Sequence, residues 1–164
     1  MFFKIFIFLL FFIKSSYAHE LRPAIANLNI YEKDNIVNAT LSIRLNLEAI
    51  IAEVNMDHSN TEESEKSGQY ESLRTMSADE LLKKFNSKIR DLQNKIYLTS
   101  ANSNYGLTLV DVDIPEVGNT DIIRDTVINF DIKNIKDEDL KFSWDKNLGS
   151  IILRVNSKNN ETLY

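Results

Sequence analysis

The sequence predicts a mainly β fold: an antiparallel β-sandwich of immunoglobulin-like type with a helical insertion around 70–93. Three patterns predict it. Apolar and polar residues alternate with period two in several runs, the mark of strands with one buried face. These short runs recur at roughly ten-residue spacing with turn signals between them. One stretch in the middle breaks that period and places its apolar residues at helical spacing instead.

The first segment reads as an export signal rather than as part of the fold. Residues 2–13 are apolar except for Lys4, the positive start, and 5–13 form the apolar core. Ser16 and Ala18 put small residues at −3 and −1 of a cut after Ala18. A membrane-spanning helix needs ~20 apolar residues, and Lys14 closes this run well short of that. The expected organisation is therefore a signal peptide over 1–18 and a single exported domain over 19–164, periplasmic or extracellular. Cleavage leaves 17 basic against 24 acidic residues, a formal charge of −7. An acidic chain with scattered Lys and Arg is a poor ligand for nucleic acid or anionic lipid. The remaining 146 residues suffice for one domain with its own core, and no later apolar run reaches spanning length. Cysteine is absent, which removes disulfides and thiolate metal sites from consideration.

Taken in order, Ala24, Ala26, Leu28 and Ile30 alternate with Ile25, Asn27 and Asn29. Lys33-Asp34-Asn35 is a polar turn. Val37, Ala39, Leu41, Ile43, Leu45 and Leu47 then alternate with polar residues, so the two runs propose an antiparallel hairpin. Leu47, Ile50, Ile51 and Val54 have helical spacing with Glu48 and Glu53 on the other side, which predicts a short helix closing one end of the sheet. Residues 57–68 are polar and acidic and read as a mobile loop. Ser77-Ala78-Asp79-Glu80 is a capping box that opens a helix over 78–93, with Leu82, Phe85, Ile89, Leu92 and Ile96 on its apolar stripe. Strands are expected over 96–99 and 105–114, with a turn at Asn102-Ser103-Asn104 between them and a turn-rich break over 115–120. Thr126, Ile128, Phe130 and Ile132 mark the next strand, Leu140, Phe142 and Trp144 another, and Ile151, Leu153 and Val155 a last one after Gly149. Residues 159–164 read as a turn entering a further strand, so either that last strand is short or the chain is a fragment of a longer protein, truncated at the C-terminus.

Chemistry-bearing residues are few. There are two histidines. After cleavage His19 offers an α-amine and an imidazole on one residue, a pair able to chelate copper or nickel, and His58 is the sole second imidazole, beside Glu62, Glu63 and Glu65. The plainer reading is a frayed terminus and a solvated acidic loop. Asp111, Asp113 and Glu116 lack the ligand number and the turn glycine of a calcium loop and read as a solvated strand edge. Arg124-Asp125 and Arg22 read as structural ion-pair partners. No nucleophile elbow, phosphate-binding glycine loop or zinc-protease helix is present, so no catalysis is expected. The sequon Asn38-Ala39-Thr40 falls within a strand and is discounted, as is Asn160-Glu161-Thr162.

The start His19-Glu20-Leu21-Arg22-Pro23-Ala24, directly after a signal peptide, resembles the exported N-terminal region of HupE/UreJ-type membrane proteins. These are hydrogenase and urease accessory proteins of nickel- or cobalt-permease type. Ile43-Arg44-Leu45-Asn46-Leu47-Glu48-Ala49 resembles the family's second strand and short helix. Tyr70-Glu71-Ser72-Leu73-Arg74 with 77–85 resembles its helical insertion, and Val112-Asp113-Ile114-Pro115, Val117-Gly118 and Arg124-Asp125 its later strands. The resemblance spans most of 19–155. It implies a non-catalytic extracytoplasmic module that docks on, or delivers a ligand near, a membrane permease-like partner, with nickel or cobalt as the metal moved. Family members continue into several transmembrane helices, and those positions have no counterpart here. Two other readings remain open: a free periplasmic metal-binding protein using His19, and a generic interaction or adhesion module.

Overall fold

A computed structural model of the chain describes residues 22–54, 66–120, 122–136 and 139–157. The segment expected to be a signal peptide, His19, His58 with its acidic neighbours, and the tail from 158 lie outside the described residues.

The fold is mainly β. Strand β1 (Ala24–Lys33) and β2 (Ile36–Asn46) form the expected hairpin. Asp34 and Asn35 both hold positive φ (55° and 59°), so Lys33 and Ile36 pair across a two-residue turn of mirror-image type, whose twist matches that of the strands. Helix α1 (Leu47–Ala52) follows at once. Asn46 caps it by accepting from the Ala49 amide at 3.1 Å, and Glu53 ends it in the left-handed conformation. Helices α2 (Ser67–Arg74) and α3 (Ala78–Gln93) make up the insertion. The capping box is present: the Glu80 amide donates to Ser77 Oγ, and the Ser77 amide donates to Glu80 Oε2 at 2.9 Å.

Strands β3 (Ile96–Thr99), β4 (Asn104–Tyr105) and β7 (Lys141–Trp144) form one antiparallel sheet in the order β4-β3-β7. Strands β5 (Thr108–Asp113), β6 (Asp125–Ile135) and β8 (Ile151–Ser157) join the hairpin in a second sheet, ordered β5-β6-β2-β1-β8. All its pairs are antiparallel except β1 with β8, which run parallel.

Register puts Ala26, Leu28, Leu41, Ile43, Ile128 and Phe130 on one face of the larger sheet, where each is at most 3% exposed. Ile96 and Leu98 of the smaller sheet, Phe85 and Leu92 of α3, and Ile51 of α1 pack into the same core. Full burial of a Leu, Ile or Phe side chain contributes about 1.5–3 kcal/mol, so this shared face holds the two sheets and the helices together.

Four expectations need correction. The strand read over 105–114 is two strands in different sheets. The chain leaves one sheet after Tyr105, passes Gly106 and Leu107, and enters the other; Gln93 Nε2 donates to the Leu107 carbonyl at 2.9 Å at the crossing. The loop read over 57–68 ends earlier, since α2 begins at Ser67. The stripe expected for α3 lacks one residue: Leu81 is 0% exposed, while Phe85 and Leu92 are buried and Leu82 and Ile89 pack half-buried against the core as expected. Glu48, expected to face water, is 1% exposed.

Candidate functional site

Between β5 and β6 the described residues form no helix or strand, yet two arginines fasten them to the helical layer. Arg124, the residue before β6, extends Nε to Glu48 Oε1 on α1 at 2.7 Å. Its Nη1 donates to the carbonyls of Met76 at 3.0 Å and Pro115 at 3.3 Å, and its Nη2 to that of Leu73 at 3.3 Å. The Leu73 and Met76 carbonyls lie at the end of α2 and in its link to α3. Terminal helix carbonyls lack intrahelical donors and carry partial negative charge, so a guanidinium there is favourable. Arg74, the last residue of α2, sends Nη2 to the Ile122 carbonyl at 3.0 Å. Five planar donors suit an arginine to this work; a lysine could not bridge a carboxylate and three carbonyls at once.

The network continues inward. The Arg74 guanidinium lies 5.4 Å from the centre of the Tyr70 ring, a cation–π distance. Asn46 Nδ2 donates to Tyr70 Oη at 2.8 Å, while Asn46 Oδ1 caps α1. Burial pushes the Tyr70 phenol above its usual range, which keeps it neutral; the Asn46 hydrogen bond and Arg74 oppose that rise. Side chains of Glu48, Arg74 and Arg124 are 1%, 3% and 9% exposed. Of the two guanidinium groups, Arg124 pairs with the buried Glu48 carboxylate, whereas the carboxylate near Arg74 Nη1 is Glu71, at 3.8 Å and half exposed. Glu48 Oε2, Arg74 Nη1 and Thr126 Oγ1 are buried without a hydrogen-bond partner.

Chemically, the arrangement is suited to holding backbone. The Arg124 donors and Arg74 Nη2 are taken up by backbone carbonyls and by Glu48, and the side chains of Glu48, Arg74 and Arg124 are largely closed to solvent. Above it, Val117 and Ile122 are 41% and 62% exposed. Beside it, Asn46 also lines a cleft of about 330 Å³ with Arg22, Arg44, Ile25, Asp125 and Ile152.

The histidines proposed as metal ligands, His19 and His58, lie outside the described residues. Among the described residues no group of three or more His, Cys, Asp or Glu side chains converges as a metal site would. Asp111, Asp113 and Glu116 are exposed at the β5 edge, and Asp111 accepts from Asn129 Nδ2 at 2.7 Å. Arg124 is structural as expected, but its partner is Glu48 rather than a neighbour in the chain. The only sequence signal for Glu48 was that Ala49 and Ala52 share the side of α1 assigned to water. Asn38 sits within β2, its amide oxygen accepting from the Asn134 amide at 3.3 Å.

No helix among the described residues is long and apolar enough to cross a membrane. No family model, curated protein or solved structure matches the chain.

Proposed function

We propose that this chain is a non-catalytic exported module of the kind found outside the membrane in HupE/UreJ-type proteins, and that it docks on a membrane permease-like partner that moves nickel or cobalt. One observation carries the reading. The segments that resemble that family, 43–49, 70–74, 112–115 and 124–125, are far apart in the chain yet supply Asn46, Glu48, Tyr70, Arg74, the Pro115 carbonyl and Arg124 to two adjoining sets of contacts around the end of α2. These contacts serve to hold the stretch between β5 and β6 in one shape, with Val117 and Ile122 outward. Held rigid, exposed apolar side chains lose little entropy on binding, which is what a docking surface requires. The two sheets around one core support an immunoglobulin-like sandwich as its finer fold class, with α2 and α3 as the insertion.

The test is site-specific photo-crosslinking in the exporting cell, with the photoreactive residue at Val117 or Ile122. The expected adduct is a polytopic membrane protein encoded beside this chain or in frame after it. Adducts at an unrelated exposed position, such as Tyr97, that match those at Val117 and Ile122 would remove the reading.

A further inference from the structure

We propose that β8 is a pairing edge, and that its occupant is β8 of a second copy of this chain. The two edges of the five-stranded sheet are treated differently. At β5 the ladder is interrupted between Leu109 and Asp111, Asp111 and Asp113 carry charge outward, and Pro115 follows. Interruptions, charges and prolines are how proteins keep an edge from recruiting strands. At β8 seven residues pair with β1 in unbroken register and contain neither proline nor acid.

The exposed apolar residues of β8 lie on both faces. Leu153 and Val155 pair with Ala26 and Leu28, so they point to the core side, yet they are 37% and 54% exposed. Ile152 pairs with Ile25 on the other face and is 47% exposed. A partner lying on one face would cover one set only. A strand added in the plane of the sheet covers both and also satisfies the outward backbone groups.

The sequence selects the occupant. In a two-fold antiparallel pair centred on Leu153, residues opposite each other share a face. Leu153 meets Leu153, Ile151 meets Val155, Ile152 meets Arg154, and Ser150 meets Asn156. Apolar residues meet on the core side, the aliphatic stem of Arg154 lies along Ile152, and polar ends meet polar ends. Sliding by one pair in one direction sets Arg154 against Arg154; sliding in the other sets Val155 against Gly149. The isologous contact closes on itself and joins two five-stranded sheets into one.

The test uses the chain purified after export, by sedimentation across protein concentration. A dimer is expected, with Leu153→Lys and Val155→Lys monomeric and unchanged in circular dichroism. The chain has no cysteine, so Leu153→Cys alone should oxidise rapidly to a covalent dimer, and Ile152→Cys should not. A monomer at all concentrations, open-ended polymers, or equal cross-linking of the two cysteine variants would overturn the assignment. The Val117 and Ile122 crosslinks are independent of this result, so the two proposals can fail separately.

Discussion

Arg124 and Glu48, 76 residues apart in the chain, meet at 2.7 Å with side chains 9% and 1% exposed. The contact joins the entry of β6 to the first turn of α1. Through its other donors the same guanidinium takes hold of the end of α2, its link to α3, and Pro115. One side chain thus ties the irregular stretch after β5 to the helical layer.

Removing one partner leaves the other charged and buried, which costs about 3–5 kcal/mol. Arg124→Met and Glu48→Met are each expected to lose stability in that range in denaturant unfolding. The double variant should lose less than the sum, with a coupling of about 1 kcal/mol or more. Simple additivity would mean that the pair does not act as a unit.

Glu53 carries the pH dependence that can be assigned. Hydrogen bonds from Lys66 at 2.8 Å and Lys88 at 2.7 Å, reinforced by their charges, pull its carboxyl from 4.5 to about 2. A depressed carboxyl adds stability that is fully present above pH 4.5 and is lost as pH falls toward 2. The group is 56% exposed, so solvent screening holds the gain below about 1 kcal/mol. Thermal unfolding between pH 2 and 6 should show a shallower acid decline in Glu53→Gln than in the parent, and the difference should shrink in high salt.

The capping box at the start of α3 is open to mutation without touching the core. Ser77→Ala is expected to lose about 1 kcal/mol and Ser77→Asn to recover most of it. Equal stability of the two variants, read by denaturant midpoint, would contradict the cap.

The β1–β2 turn needs positive φ at two adjacent residues. Asn35→Gly should gain a few tenths of a kcal/mol, while Asn35→Val should lose about 1–2 kcal/mol, because a branched side chain is strained in the left-handed region.

Much of the fold was legible because period is a local property. The alternations at 24–30, 37–47 and 126–132 predicted β1, β2 and β6, and Ser77 with Glu80 predicted the start of α3. Three features were not legible, each because the deciding contact is remote. Tyr105 and Thr108 look like one strand until the two sheets claim them separately. Glu48 looks wet in a short helix until α2 and Arg124 close over it. Ile151, Leu153 and Val155 alternate like core residues, yet β8 sits at an edge, where Ile151 is half-buried and Leu153 and Val155 are exposed. The candidate site followed the same rule: Arg124 was visible as a structural residue, but the carbonyls it binds come from elements that only folding brings near.

The central claim is that the stretch between β5 and β6 is held in one shape by Arg74 and Arg124. Backbone amide order parameters from nitrogen relaxation measure this directly at Val117, Gly118 and Ile122. Values near the rigid level of about 0.85 are expected in the parent, falling below about 0.6 in Arg124→Met while β1 and β2 remain ordered. Values below about 0.6 in the parent itself, or no change on removing Arg124, would contradict it.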